Sequence, residues 1–91
     1  MSKYFDWDEK KNLKLKQSRN ITFEEIIYSI SDGKLLDVVT HKNSAKYPNQ
    51  KIFIVEVDNY AYIVPFIENE DHYFLKTIFP SRKATRTYIR K

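Results

Sequence analysis

The sequence predicts an α+β domain in which two N-terminal helices cover one face of a four-stranded, mostly antiparallel sheet, followed by a short basic C-terminal segment. Three observations carry this. A capping box at Thr22 and Glu25 opens a strongly amphipathic helix. From Leu35 onward the chain turns into β-rich runs separated by short turns. The final residues, 82–91, hold five cations and no acid, and they follow directly on the last apolar run.

Ninety-one residues make a single domain, 1–91, with 42% apolar content, enough for one core. Thirteen Phe and Tyr supply large side chains for a thin core. A single Gly excludes a glycine-rich phosphate loop, and the absence of Cys excludes a disulfide framework or thiolate metal site. No apolar stretch approaches the roughly 20 residues of a membrane helix, and no signal-type apolar segment opens the chain. A cytoplasmic protein without a membrane partner is expected. The net charge of +4 is segregated: residues 1–20 carry six cations against three acids, and residues 52–72 carry five acids and no Lys or Arg. Such segregation predicts a basic surface for a polyanion, with acidic turns facing elsewhere.

Tyr4–Trp7 is an aromatic run suited to an edge strand or extended arm. Asp6 or Asp8 caps a helix from Asp8 to Ser18, whose thin buried stripe is expected at Leu13 and Leu15. Thr22 begins the second helix, with Ile21 and Ile26 as a hydrophobic staple and Phe23, Ile26, Ile27 and Ile30 on one face. Gly33 ends it as a left-handed C-terminal residue. Strands are predicted at Leu35–Thr40, Ile52–Val57, Tyr60–Ile67 and Tyr73–Phe79. Asp58-Asn59 forms a tight hairpin, Glu68–Asp71 the next turn, and Lys42–Gln50 a long polar loop. Pro65 interrupts pairing on one side of the third run. That run is apolar on both faces: Tyr60, Tyr62, Val64 and Phe66 on one, Ala61, Ile63 and Ile67 on the other. The helices cover only one, so the second face is expected to lie exposed or under a partner.

His41 and His72, the only histidines, sit in no ligand motif, so no metal or other cofactor is expected. Nor is there a nucleophile elbow. The remaining candidate is cationic. Arg82 and Lys83 leave the last strand, and Arg86 shares a face with Arg82 if the segment is helical. His41 closes the first of the four strands and Lys51 opens the second, which places them together if those strands pair. Convergence with Arg82 depends on strand order. RNA carries its own nucleophile, the 2′-hydroxyl. Cleavage then requires stabilisation of phosphorane charge and proton transfer, tasks for Arg or Lys and for a His, Lys or Tyr respectively. Arg82 is the candidate for the scissile phosphate, Lys51 and Lys83 for the backbone, and His41 or Tyr47 for proton transfer. Lys42 and Lys46 in the polar loop, and Thr85 and Arg86 in the tail, complete the phosphate-binding candidates.

Phe5-Asp6-Trp7-Asp8-Glu9-Lys10-Lys11-Asn12, Ile21-Thr22-Phe23-Glu24-Glu25 and Arg82-Lys83-Ala84-Thr85 together resemble the BrnT family of toxins, relatives of RelE and ParE in bacterial type II toxin–antitoxin pairs. The resemblance covers most of the chain in the family's motif order. Asn20 stands where that family usually has Gly, and Tyr47–Lys51 replaces a more charged segment, as in a divergent branch. The resemblance implies a RelE-like fold, a translation-inhibiting endoribonuclease, a ribbon-helix-helix antitoxin as partner, and contact with operator DNA only through that antitoxin. Two other readings remain open: a ParE-like inhibitor acting on a protein, and a plain RNA-binding module.

Overall fold

The computed structural model describes residues 3–40, 43 and 45–90. In chain order it comprises β1 (Tyr4–Trp7), α1 (Glu9–Arg19), α2 (Phe23–Ser31), β2 (Leu35–Thr40), β3 (Gln50–Val57), β4 (Tyr60–Glu68), β5 (His72–Leu75), β6 (Phe79–Pro80) and α3 (Arg82–Tyr88). The sheet order is β1-β5-β4-β3-β2, with β6 also paired to β4. All pairings are antiparallel except β1 with β5. The α+β class stands, and the four-strand expectation becomes six strands.

Two causes account for the extra strands. The Tyr4–Trp7 run joins the sheet, pairing Tyr4 with His72 through Trp7 with Leu75. The fourth predicted run is divided by Pro65. Strand β5 pairs with Phe66–Glu68 and β6 with Tyr62–Ile63, on the same outer edge of β4. Between them the Pro65 carbonyl accepts the Lys76 N–H at 2.8 Å. Proline has no N–H to return the bond, so the ladder lapses there.

Helix α1 starts at Asp8, whose carboxylate accepts the Lys10 N–H, and stops at Asn20 in the left-handed region (φ 53°). Asn tolerates that conformation better than other residues bearing a Cβ, so it can stand where Gly is common. The buried stripe of α1 is Asn12 and Leu15; Leu13 is 61% exposed, a correction to the expected stripe. Helix α2 has the complete capping box: Thr22 accepts from the Glu25 N–H, and Glu25 accepts from the Thr22 N–H. Gly33 at φ 80° follows its last turn.

One face of the sheet holds the main core: Phe53, Val55, Val57, Val64, Phe66 and Leu75 with Leu15, Ile21, Phe23 and Ile26 from the helical region. The Phe53 and Phe66 rings stack at 3.8 Å between centroids. The second face is not bare, as one expectation had it. Helix α3 lies on it, packing Ala84, Tyr88 and Ile89 around Ile54, Ala61, Ile63, Leu36, Val39 and Ile52. The small side chains of Ala61 and Ala84 permit this close approach.

Asn12 ties the two N-terminal helices together. Its buried side-chain oxygen accepts the Phe23 N–H at 2.8 Å, and its amide donates to Glu9 at 3.1 Å and Glu24 at 2.7 Å. Asn12→Leu leaves the Phe23 N–H buried and unpaired, a cost of about 1–3 kcal/mol. Urea unfolding is expected to show a lower midpoint with an unchanged slope.

Candidate nucleic-acid interface

Helix α3 is fixed by its own hydroxyl groups. Ser81 caps it, its Oγ accepting the Ala84 N–H at 3.0 Å. One turn on, the Thr85 hydroxyl donates to the Ser81 carbonyl at 2.8 Å and accepts the Ala61 N–H at 2.9 Å. The Ser81 N–H donates to the Ala61 carbonyl at 3.0 Å. Strand β6 has ended by this point, so the Thr85 side chain takes the place of a neighbouring strand at an edge N–H of β4. Thr85 is 2% exposed. This corrects its expected role: a buried hydroxyl already engaged twice is a structural clip, not a phosphate contact. At the other end of α3 the Tyr88 hydroxyl donates to Asp37 Oδ2 in β2 at 2.6 Å. That bond, with burial and the carboxylate's charge, raises the phenol above its ordinary pKa.

With Ala84 and Thr85 turned inward, Arg82, Lys83, Arg86 and Arg90 are exposed. Arg82 and Arg86 fall on a common face, as their spacing requires. Among the described residues none of these four cations forms an ion pair. Arg82, Lys83 and Arg86 on α3, with Arg90 just past its C-cap, form a cationic ridge available to phosphate oxygens.

Lys51 is not part of that ridge. It lies on the α1/α2 side of the sheet, in register with Phe66. Its ammonium binds Glu68 Oε1 at 2.6 Å, while Lys3 binds Glu68 Oε2 at 2.8 Å. Hydrogen bonds from Lys3 and then Lys51 pull the Glu68 carboxyl down to about 2. Strands β2 and β3 do pair, with Thr40 opposite Lys51, but His41 and Lys42 lie outside the described residues. Tyr47 is half-buried, with the exposed Lys46 ammonium 5.4 Å from its ring centroid. The structure therefore gathers Arg82, Lys83 and Arg86, adds Arg90, and separates Lys51 from them across the sheet.

His72, dismissed as a metal ligand, belongs to an aromatic pair instead. Its ring stacks on Tyr4 at 5.1 Å and 16°. Asp71 lies 2.8 Å from its Nδ1 and the Asn69 amide 3.1 Å from its Nε2. Local sequence contains no signal for this, because Tyr4 and His72 meet only through the parallel β1–β5 pairing.

Comparison of the chain with family models, characterised proteins and solved structures finds no significant match. Among the described residues no helix is long and apolar enough to cross a membrane, and no group of three or more His, Cys, Asp or Glu is arranged to hold a metal ion.

Two expectations follow from the bonding. Thr85→Val keeps the shape but orphans the Ala61 N–H, costing about 1–3 kcal/mol; urea unfolding should show the loss and Thr85→Ser should recover most of it. The Glu68 carboxyl is lowered on folding, so its contribution is complete above the ordinary carboxylate value near 4.3 and is lost as pH falls through about 2. Thermal midpoints measured from pH 6 to pH 2 should fall less steeply below pH 4.5 for Glu68→Gln than for the parent chain.

Proposed function

We propose that the chain is the toxin of a type II toxin–antitoxin pair and acts on RNA, gripping the phosphate backbone with the outward face of α3. The observation that carries this reading is the ridge of Arg82, Lys83 and Arg86 on α3, a helix bonded to β4 and β2, with Arg90 just past its C-cap: all four are exposed and without an ion pair among the described residues. Three of the four project from a helix whose backbone is anchored to the sheet, so their Cα positions are set even though their side chains reach freely into solvent. The motif order shared with BrnT-type toxins supports the same reading and adds a ribbon-helix-helix antitoxin as the cytoplasmic partner.

The proposed reaction is metal-independent cleavage. The 2′-oxygen bonds to phosphorus, the bond to the 5′-oxygen breaks, the 2′-hydroxyl proton goes to a base, and the departing 5′-oxygen takes a proton. A 2′,3′-cyclic phosphate and a 5′-hydroxyl result. Arg82 neutralises the charge that builds on the phosphorane, and Lys83, Arg86 and Arg90 hold flanking phosphates. Lys51 drops out of this assignment because it is ion-paired with Glu68 on the opposite sheet face. His41 and Tyr47 remain the proton-transfer candidates. The protein-directed, ParE-like alternative rested on an apolar second face in need of a partner; α3 already occupies the Ala61–Ile63 part of that face.

Single-stranded RNA binding should weaken with salt, and each cation removed should lower the slope of log K against log salt by about 0.7. Arg82→Ala and Arg86→Ala test this by fluorescence anisotropy across a salt series. Induced expression of the parent chain should arrest growth and produce cyclic-phosphate RNA ends that also form in chelator with purified protein, while Arg82→Ala, folded and abundant, should do neither. RNA left intact by the parent chain overturns the cleavage step, and a flat salt response overturns the ridge.

A further inference from the structure

The same sheet face on which α3 packs is left uncovered on the β1–β5 side, and its composition there is aromatic. Tyr73 and Leu75 point into the main core, so His72 and Phe74, alternating with them, face the α3 side. Tyr4 is the register partner of His72 and stacks on it, with 56% of Tyr4 exposed. Phe79 in β6 is the register partner of Ile63, on the same face, and is 39% exposed. Arg82 follows Phe79 by three residues. Tyr4, His72, Phe74 and Phe79 thus mark a strip that runs from β1 across β5 to β6, three residues before the first cation of the ridge.

We propose that this strip is a stacking platform for unpaired bases, and that the ligand of the combined surface is single-stranded RNA with its phosphates on α3 and its bases over β5 and β6. The proposal rests on the RNA reading above and specifies the form of RNA. Three features favour bases on this half of the face. Aromatic rings stack with any base, and stacking requires the base to be out of a duplex. His72 and Phe74 are alternate residues of β5, a separation of about 6.7 Å, about twice the 3.4 Å step of stacked bases, which admits a base between these two. The charged groups beside these rings include the carboxylates of Asp6, in register with Phe74, and Asp71, next to His72; each has one oxygen engaged, Asp6 by the Trp7 N–H and Asp71 by the His72 ring, which leaves the other oxygen of each as an acceptor. Carboxylates repel phosphates but accept hydrogen bonds from the exocyclic amines of bases. Charge therefore sorts the ligand: backbone toward α3, bases toward β1 and β5.

The test uses the full chain and fluorescein-labelled ten-nucleotide RNA of mixed sequence, as a single strand and as a duplex, with the matching DNA single strand. Tyr4→Leu and Phe79→Leu change exposed positions, and their urea midpoints report folding. Each is expected to weaken single-strand RNA binding about tenfold while leaving the salt slope unchanged, because stacking releases no counterions; Tyr4→Phe should bind like the parent. Arg82→Ala, by contrast, should lower the slope. If the parent binds RNA with a salt-dependent affinity that neither leucine variant alters, the platform is wrong and the RNA reading survives. Equal affinity for the duplex also overturns the platform, and equal affinity for the DNA strand overturns the choice of RNA. No RNA binding at all overturns both readings together. A concentration-dependent dimer that Tyr4→Leu abolishes, seen by sedimentation, assigns the strip to a second copy of this chain and overturns the proposal.

Discussion

The placement of the cationic ridge starts from the hydrogen bond between the Ala61 N–H and the Thr85 hydroxyl, which the Ser81–Ala61 and Tyr88–Asp37 bonds reinforce at either end of α3. Strand β4 has an outer edge longer than its partners β5 and β6 can cover, and an unpaired buried N–H is costly. Thr85 removes that cost with a side chain rather than another strand. Because its hydroxyl also returns to the Ser81 carbonyl, the first turn of α3 is fixed in both position and rotation. Rotation matters most. Turning the helix by one residue would bury a guanidinium and expose Ala84; holding Thr85 inward puts Arg82, Lys83 and Arg86 outward together.

The two faces of the sheet consequently differ in chemistry. On the α1/α2 side the aromatic core is buried, and part of the polar margin is bonded internally: Glu68 is shared between Lys3 and Lys51, and Asn12 accepts from Phe23 and donates to Glu9 and Glu24, while Lys10, Lys14 and Lys16 of α1 are exposed without an ion pair among the described residues. On the α3 side positive charge is left uncompensated and rings are left open. Charge that a protein has already paired contributes little to binding a new anion, because the internal partner must first be displaced. This is why Lys51, cationic and near the end of a strand, is a weaker candidate than the four cations of the ridge.

A phosphate grip and a ring platform also divide the labour of recognition. Phosphate contacts give affinity that every sequence shares, whereas rings distinguish unpaired from paired bases. On the RNA reading proposed above, placing both on one face of one sheet, connected by the short step from Phe79 to Arg82, would let a small domain read strand state without a cleft. A surface of this kind is open, so access of water to the reacting phosphate would depend on the RNA or on a partner covering it.

Much of the architecture is local enough to be legible in the residues. The Thr22 capping box, the Gly33 stop, the Asp58-Asn59 hairpin (φ 52° and 65°) and the two-faced alternation of β4 depend on neighbours within a few positions. So does the sharing of a face by Arg82 and Arg86. Other features arise only when distant segments meet. The parallel addition of β1 to β5 creates the Tyr4–His72 pair across 68 residues, and no periodicity in either segment encodes it. The division of the fourth run into β5 and β6 follows from Pro65 only once β4 is known to be its partner. Thr85 reads as one more hydroxyl in a basic tail until Ala61 is seen to lack a strand beside it. The sequence by itself determined the two N-terminal helices, the central β runs, and that charge would gather at the C-terminus, because those follow from short-range sterics and bonding. Only the tertiary structure decided which cations stay unpaired and which rings stay open, because both depend on what the rest of the chain brings against them.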